Sequence, residues 1–296
     1  MGKWFKSEGL VQFNVANRIA RITLNRPEKR NALSGALLAE LQGALLEADD
    51  LIDVNVIILE GAGKDFCSGY DLLSTYANQD HERADPSIYR RTVRGFDDDC
   101  WSVERLNDMT CTIFKIHKPV IAKVQGNCMA GGTDLALQCD MIVAAEDAKI
   151  GFPATRANGS PPNHMWIYHC GPQWAKRLLM TGDCIWGRDA VKIGLVLEAV
   201  PADQLDAAVN ELARRVSCVD GDLLAAHKRI VNLAMELQGA GTLQRLATEM
   251  DARAHLAQGP RRTQFKADMA AHGMKVALKN RDEPFGDGMV KLNGNL

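Results

Sequence analysis

A glycine pair followed closely by an aspartate marks the part of the chain best suited to chemistry. The stretch Lys118–Asp140 begins with a β-branched run at Val120–Val124, passes through a loop, and enters a short helix at Gly131, with Asp134 in the first turn. Unpaired N–H groups and the positive dipole end at the start of a helix favour an anion. The stretch therefore predicts a backbone site for an anion, with a carboxyl group beside it.

A second glycine-containing loop lies at Glu60–Asp71. It follows Val54–Leu59, which is almost continuously apolar, as expected for a strand of a parallel sheet covered on both faces. Glycines in such loops let a ligand approach the backbone N–H donors closely. We expect both loops to contribute to one site.

The elements around these loops alternate between strand and helix. Leu10–Val15 and Ile19–Leu24 read as a hairpin whose turn is helped by Asn17, a residue that tolerates left-handed backbone. Ser34 is a predicted N-cap for an amphipathic helix over Gly35–Ala48. Further elements are predicted at Ser102–Lys115 (helix), Thr133–Cys139 (helix) and Met141–Ala144 (strand). This order predicts an α/β fold with right-handed crossovers.

From Pro161 onward the pattern is helical, apart from a short apolar run at Leu195–Val200. The predicted helices are Pro172–Thr181, Gly187–Ile193, Gln204–Val219, Leu223–Leu237, Thr242–Leu256 and Pro260–Leu278. The chain therefore divides into a predicted α/β core, residues 1–201, and a helical region, residues 202–296.

Composition excludes several classes of partner. With 35 Lys and Arg against 37 Asp and Glu, the net charge of −2 gives no general reason to bind nucleic acid or anionic lipid. No segment approaches the roughly 18 apolar residues of a membrane span. The eight cysteines show no CxxC pair and no metal-ligand spacing. We expect a cytoplasmic protein with reduced thiols, no metal, and no nucleic-acid or membrane partner.

Several segments together resemble the enoyl-CoA hydratase/isomerase (crotonase) superfamily. The matching segments are Leu24–Leu33, Phe66–Leu72, Lys118–Asp140, Leu179–Gly182, Ala190–Val200 and Arg281–Gly286. The resemblance implies a core of stacked ββα turns, which forms a spiral and holds the acyl-CoA site. It also implies a C-terminal helical region that mediates trimerisation and covers the CoA. Trimers of the family often pair into hexamers, and coenzyme A enters as part of the thioester substrate rather than as a separate cofactor.

The resemblance assigns an oxyanion site and one carboxyl group. The backbone amides of Tyr70 and Gly131 would stabilise the negative charge that forms on a thioester carbonyl oxygen. Asp134 occupies the position of the first catalytic glutamate of the family's hydratases, with a side chain about 1.5 Å shorter. Its alternative role is that of a carboxylate which stabilises the start of a helix through the dipole.

The second glutamate of the family's hydratases is missing. The matching position, after Gly151-Phe152-Pro153, is Ala154, and a methyl group cannot transfer a proton. The family's isomerases that work with one carboxylate tend to keep it at this position, so the departure weakens that assignment as well. Candidate substitutes lie at Thr155–His169 and include Arg156, Asn163, His164 and Tyr168.

Two of these candidates have competing roles. His164 has a suitable pKa for proton transfer near neutral pH, but a histidine on an apolar helix is more often a satisfied structural residue. Arg156 could pair with Asp134, meet a substrate carboxylate, or form a surface salt bridge.

For the CoA moiety, the resemblance points to Lys64, to the backbone around Ser68, and to further basic residues. The further basic residues are Lys29, Arg30, Lys279 and Arg281. Lysine and arginine are suitable partners for the phosphates of this ligand.

The leading function predicted is that of an enoyl-CoA hydratase, in which Asp134 transfers a proton to or from an enolate. One alternative is another crotonase-type reaction, namely isomerisation, dehydration or decarboxylation of a bulkier CoA ester. A second alternative is a non-catalytic member that binds acyl-CoA or protein after losing the carboxyl group at the Ala154 position.

Overall fold

Two sheets of different size form the framework of the molecule. The computed structural model describes residues 2–72, 88 and 95–292. The strands in these ranges are β1 (Val11–Ala16), β2 (Ile19–Leu24), β3 (Val56–Gly61), β4 (Val120–Val124), β5 (Asn127–Met129), β6 (Met141–Ala145), β7 (Lys149–Gly151), β8 (Cys184–Trp186) and β9 (Glu198–Val200). Six strands form one sheet in the order β1-β2-β3-β4-β6-β9, and three form the other in the order β5-β7-β8.

Helices surround these sheets and make up the C-terminal third of the chain. Those in the described ranges are α1 (Gly35–Asp50), α2 (Phe96–Lys115), α3 (Gly131–Ala136), α4 (Trp166–Thr181), α5 (Gly187–Ala190), α6 (Leu205–Ser217), α7 (Gly221–Leu237), α8 (Ala240–Leu256), α9 (Pro260–His272) and α10 (Met274–Asp282). The fold is therefore mixed α/β with a helical C-terminal region, as the sequence predicted. None of the described helices combines the length and the apolar content needed to cross a bilayer.

The larger sheet follows the predicted pattern closely. β1 and β2 form the predicted antiparallel hairpin, and both turn residues, Asn17 (φ 52°) and Arg18 (φ 63°), are left-handed. Such a turn matches the twist of the two strands. The remaining pairs of this sheet are parallel, and every residue of β3 is buried. Its apolar run is therefore that of a strand covered on both faces.

Two helices cover this sheet from different parts of the chain. α1 begins at the predicted cap, because the hydroxyl oxygen of Ser34 accepts a hydrogen bond from the Leu37 N–H at 3.2 Å. α6 is tied to the sheet by Asn55, whose side-chain amide donates to the backbone oxygens of Ser217 and Val219. The apolar side chains of both helices join the main hydrophobic core. The predicted division of the chain at residue 201 stays a prediction.

The smaller sheet was not predicted. β5, β7 and β8 contain three residues each, which is too short to show an alternating pattern. Several helix boundaries also differ from the predictions, among them the start of α4 at Trp166 rather than Pro172. α2 begins at Phe96 rather than Ser102, and the helix predicted over Pro260–Leu278 is two helices, because Gly273 adopts a left-handed φ of 81° between them.

Candidate active site

The two glycine-containing loops are held together by backbone pairing. Cys67 and Cys128 form an isolated parallel bridge, in which the Cys67 N–H donates to the Asn127 oxygen at 3.0 Å and the Met129 N–H donates to the Cys67 oxygen at 2.9 Å. The Phe66 N–H donates to the Gln125 oxygen at 2.8 Å. The end of the first loop therefore follows β5 in register and brings its glycine to the start of α3.

This close approach requires glycine at two positions. Gly69 has a φ of 101°, and a Cβ atom there would lie 3.0 Å from the Cβ of Ala130 and 3.4 Å from the nitrogen of Gly131. A Cβ atom on Gly132 would lie 2.6 Å from the backbone oxygen of Cys67. The glycines predicted as permissive turn residues thus allow direct contact between the loops.

The amides of Tyr70 and Gly131 are both available as donors. Leu33 forms a parallel bridge with Tyr70, in which its backbone hydrogen bonds go to Gly69 and Asp71, the two neighbours of Tyr70. The Tyr70 N–H therefore faces away from Leu33. Gly131 is the first residue of α3, where an N–H has no acceptor within the helix. Neither N–H donates a backbone hydrogen bond within the ranges that the structure describes. Two N–H groups from contacting loops are a suitable arrangement for an oxyanion.

Ala130 holds a strained conformation immediately before α3. Its φ of 47° and ψ of −116° are unusual for a residue with a side chain, and such strain costs about 1–3 kcal/mol. The backbone around it fixes the conformation: its N–H donates to the Gly151 oxygen at 2.9 Å, and its oxygen accepts from the Thr133 hydroxyl at 2.6 Å. Strain of this kind occurs most often at functional sites.

Asp134 is a fully buried carboxyl group bonded to a tyrosine. The Tyr70 hydroxyl donates to Asp134 Oδ2 at 3.1 Å, whereas Oδ1 has no hydrogen-bond partner among the described residues. Burial raises the pKa of Asp134 well above its usual value, although the bond from Tyr70 lowers it in part. Burial also raises the pKa of the Tyr70 hydroxyl. Asp134 therefore retains its proton to higher pH than an exposed aspartate.

The hydroxyl of Tyr70 is a functional group that the sequence did not reveal. We assigned only the backbone amide of this residue, because the resemblance concerns the backbone of the loop. The ring lies so close to Gly131 that a Cβ atom there would be 2.9 Å from Tyr70 Cε2. Tyr70 therefore contributes both an amide and a hydroxyl to the site. No pattern in the sequence indicates where its ring points.

The segment after Ala154 contacts Asp134 through an asparagine. The side-chain amide of Asn163 donates to the backbone oxygen of Asp134 at 3.0 Å, and its own Oδ1 is buried without a partner among the described residues. The backbone N–H of His164 donates to Gln244 Oε1 at 2.7 Å, and burial lowers the pKa of its imidazole. No contact in the described chain joins this imidazole to Asp134, so a catalytic role for His164 stays a prediction.

Arg156 and Tyr168 point elsewhere. Arg156 is buried and forms ion pairs with Asp183 at 3.0 Å and Asp282 at 3.1 Å. The predicted pair with Asp134 is therefore wrong, and so is the surface salt bridge, because only 5% of the Arg156 side chain is exposed. The Tyr168 hydroxyl donates to the backbone oxygen of Gln238 at 3.4 Å.

A cluster of two carboxyl groups and a histidine, also missed, lies on α8 and α2. Asp251 Oδ1 accepts from the Ser160 N–H at 2.8 Å and lies 3.5 Å from His255 Nε2. His255 Nδ1 lies 2.9 Å from Oδ2 of the buried Asp99. The only signal in the sequence was the four-residue spacing of Asp251 and His255, which places both on one face of a helix.

Burial and the neighbouring charges have opposite effects on the pKa values in this cluster. Burial raises the pKa of Asp251 to about 6, despite the nearby His255, which lowers it. Burial opposes the charged form of His255, but the bond to Asp99 and the charge of Asp251 raise its pKa overall. Asp251 also raises the pKa of Asp134 and of Tyr70 through its charge, so the two carboxyl groups share one electrostatic environment.

The predicted CoA contacts fall into two places. Lys64 is exposed in the same loop as Ser68, whose N–H donates to the Arg30 oxygen at 3.0 Å, and Lys29 lies nearby with its ammonium 3.4 Å from Asp71 Oδ2. Arg281 is instead part of the Arg156 network. Its guanidinium is buried, donates to Asn158 Oδ1 at 2.8 Å, and pairs with Asp282 at 2.8 Å. The structure thus gathers Lys29, Lys64 and Ser68 but not Arg281.

The buried Asp134 predicts a pH-dependent stability. Because its folded-state pKa is raised, its contribution to the free energy of unfolding is fully present below the ordinary aspartate pKa and is lost as the pH rises. Asp134→Asn should therefore unfold a few degrees above the wild type at pH 8, and this gap should close towards pH 4. Thermal unfolding followed by circular dichroism across this range measures the gap. The exposed Asp108→Asn serves as the control, and a gap that does not change with pH would contradict the prediction.

Comparison with known proteins places the chain in a family. The family model described as Enoyl-CoA hydratase/isomerase matches residues 14–266. EchA13 of Mycobacterium tuberculosis, an enoyl-CoA hydratase by name, is 35% identical over 240 residues, which cover 75% of this chain and 72% of that protein. The hydroxycinnamoyl-CoA hydratase-lyase of Pseudomonas fluorescens is 30% identical over 220 residues, which cover 73% of this chain and 74% of that protein.

A solved structure extends this likeness to the fold. The crystal structure of an enoyl-CoA hydratase from Mycobacterium smegmatis is 36% identical and superposes with a TM-score of 0.84, covering 94% of this chain and 95% of that one. The fold is therefore the crotonase fold that the sequence motifs predicted. The chain belongs to the enoyl-CoA hydratase/isomerase family of enzymes.

Proposed function

We propose that the protein polarises the thioester carbonyl of an acyl-CoA and transfers protons beside it, with hydration of a 2-enoyl-CoA as its reaction. The observation that carries this proposal is the contact between the two loops. It brings the N–H groups of Tyr70 and Gly131 close to the bonded pair of Asp134 and the Tyr70 hydroxyl. One oxyanion donor contributes about 10²–10³-fold to a rate in such sites.

The protonation state of Asp134 suits the proposed chemistry. Addition of water to a 2-enoyl thioester creates an enolate, whose α-carbon must then receive a proton. Asp134 has a raised pKa, and its Oδ1 is free of partners within the described chain. The Tyr70 hydroxyl occupies Oδ2. In the proposed mechanism the proton is carried on Oδ1, and Tyr70 fixes the orientation of the carboxyl group.

The relatives support a CoA ester as substrate. EchA13 and the Mycobacterium smegmatis protein are named as enoyl-CoA hydratases, and the Pseudomonas fluorescens protein as a hydroxycinnamoyl-CoA hydratase-lyase. An isomerase, dehydratase or decarboxylase acting on a bulkier CoA ester is the second candidate. Ala154 leaves no carboxyl group where the family's hydratases carry their second one, which weakens the hydratase assignment, but it equally weakens an isomerase that keeps its one carboxylate at that position.

Substitution of Asp134 and Tyr70 tests the proposed reaction. With crotonyl-CoA as substrate, Asp134→Asn should lower kcat by about 10²–10⁴-fold, because it removes the transferable proton. Tyr70→Phe should lower kcat by about tenfold, because it keeps the backbone amide and removes one hydrogen bond to Asp134. Loss of the enoyl absorbance measures both rates.

Tyr168→Phe is the matched control, since within the described residues its hydroxyl hydrogen-bonds only to the Gln238 oxygen. Wild-type rates in Asp134→Asn would support a reaction that does not use this carboxyl group, and binding without any turnover of CoA esters would support a non-catalytic member. Wild-type protein that binds crotonyl-CoA and does not hydrate it would favour the second candidate.

The loop that contains Lys64 predicts a separable effect on substrate binding. Lys64 is exposed and would contact a CoA phosphate. This interaction would have the same strength in the ground state and in the transition state. Lys64→Ala should therefore raise KM about tenfold and leave kcat unchanged, since a hydrogen bond to a charged group contributes about 1.5–3 kcal/mol. Steady-state kinetics decide this, with the exposed Lys275→Ala as control. A fall in kcat at constant KM would contradict it.

We further propose that the protein assembles as a homotrimer, or as a hexamer of paired trimers, through its C-terminal helices. α7 exposes a set of large apolar side chains in the single chain: Leu223, Ile230, Val231, Leu233 and Leu237. Contiguous apolar surface of this kind usually marks an interface. A second copy of the chain is the partner expected from the family resemblance.

The mass of the protein in solution tests the assembly proposal. Light scattering should give three or six times the chain mass of 32.4 kDa. The double variant Ile230→Asp/Leu237→Asp should give a smaller species, whereas Ile52→Asp, at a residue that is 92% exposed outside α7, should not. A monomeric wild type would contradict the proposal.

A further inference from the structure

We propose that Asp251 is the second proton-transferring carboxyl group of this enzyme, positioned by His255 and Asp99. This inference rests on the proposed hydration and supplies the group that is missing at Ala154. It relocates the second carboxyl group from the turn after β7 to α8, in the helical region of the chain.

The buried face of α8 runs along the segment that contacts Asp134. Gln244, Thr248 and Asp251 are spaced four and three residues apart, so they lie on one face of the helix, and all three are buried. At one end, Gln244 accepts from the His164 N–H, and at the other, Asp251 accepts from the Ser160 N–H. α8 is therefore fixed against residues 160–164 by both ends of this polar face.

The same segment carries buried polar atoms with no partner in the described chain. These atoms are Asn163 Oδ1 and Ser160 Oγ, and Asp134 Oδ1 joins them in the site. Asn163 and Asp134 are each at most 1% exposed. A buried polar atom without a hydrogen bond costs about 1–3 kcal/mol, so several together indicate a place where a polar ligand completes the bonding.

Asp251 is set apart from Asp134 by its partners. Asp251 lies beside His255, whose pKa is raised, and accepts a backbone N–H, whereas the carboxyl group of Asp134 is bonded to the Tyr70 hydroxyl. The charged and titratable groups that act on Asp251 include His255, Asp99 and Arg262, and Asp134 and Tyr70 are coupled to it through its charge. The pKa of Asp251 is raised to about 6, with His255 lowering it in part, whereas burial raises the pKa of Asp134 well above its usual value, with no cation among the groups of the described chain that act on it. Two carboxyl groups with pKa values pushed apart are a suitable base and acid.

The proposed step conserves atoms and charge. The carboxylate of Asp251 takes a proton from water as the water oxygen forms a bond to the β-carbon, and the electrons of the Cα–Cβ double bond move into the enolate. The N–H groups of Tyr70 and Gly131 stabilise the enolate oxygen. The α-carbon then takes the proton from Asp134, the thioester carbonyl re-forms, and exchange with solvent returns the proton from Asp251 to Asp134.

The test separates the two carboxyl groups by two reactions. Hydration of crotonyl-CoA needs both groups, whereas exchange of the α-protons of butyryl-CoA in D₂O needs only the oxyanion donors and the ionised fraction of Asp134, which takes the α-proton and returns a deuteron after exchange with solvent. Asp251→Asn keeps an oxygen for the Ser160 N–H. It should lower the hydration rate about 100-fold or more and leave α-proton exchange within about threefold. Glu249→Gln on the same helix is the matched control and should change neither rate.

His255 is tested as a positioning residue through the pH profile. Its cation lowers the pKa of Asp251, so His255→Gln should shift the acidic limb of kcat/KM for hydration to higher pH. The exposed His272→Gln should leave the limb in place. This measurement also decides the role of Asp251 if Asp251→Asn does not fold.

Three results would overturn the inference. The first is wild-type hydration by Asp251→Asn, and the second is equal loss of hydration and exchange in a folded variant, which would make Asp251 structural. The third is an acidic limb that does not move in His255→Gln. A wild-type enzyme that exchanges α-protons and does not hydrate would instead refute the proposed hydration, and the step at Asp251 with it.

Discussion

The pairing of Cys67 with Cys128 is the constraint on which the site depends. This single parallel bridge aligns the loop after β3 with β5, so the residues that follow each cysteine meet at a fixed offset. Gly69 then lies against Ala130, and the N–H groups of Tyr70 and Gly131 belong to neighbouring backbone segments. A side chain on Gly69 or Gly132 would separate the loops, because backbone and Cβ atoms already fill the space. Backbone hydrogen bonds therefore set the positions of these two N–H groups, the proposed oxyanion donors.

Asp134 shows that this arrangement has an energetic cost. A carboxyl group with no exposed surface and one free oxygen destabilises the fold wherever it must ionise. The strained backbone of Ala130 adds to this cost immediately before the same helix. A well-packed core that includes Val56–Leu59 of β3 and apolar side chains of α1 and α6 offsets both terms. Conflict between stability and local chemistry is usual at catalytic positions.

One departure from the family pattern can be set beside the contacts in the folded chain. Ala154 has no carboxyl group, and the carboxyl group of Asp134 is bonded to the Tyr70 hydroxyl. The helical region contributes buried polar side chains, Gln244 and Asp251, to the same surroundings. The boundary predicted at residue 201 thus divides the chain in sequence, but polar groups from both sides of it meet at residues 160–164, which contact Asp134 through Asn163.

The sequence by itself determined the alternation of strands and helices, the hairpin at Asn17, the cap at Ser34 and the two glycine loops. These features depend on local periodicity and on backbone preferences that each residue carries with it. It also predicted site roles for Gly131, Tyr70 and Asp134, because they stand in motifs, and these roles stay predictions. Only the tertiary structure decided that the Tyr70 hydroxyl bonds to Asp134, that Arg156 and Arg281 share a buried ion-pair network, and that Asp251, His255 and Asp99 meet. Three of these contacts, Tyr70 with Asp134, Arg156 with Asp282 and Asp99 with His255, join residues 64, 126 and 156 positions apart. Their distances are fixed by the packing of whole helices and sheets, which no local pattern records.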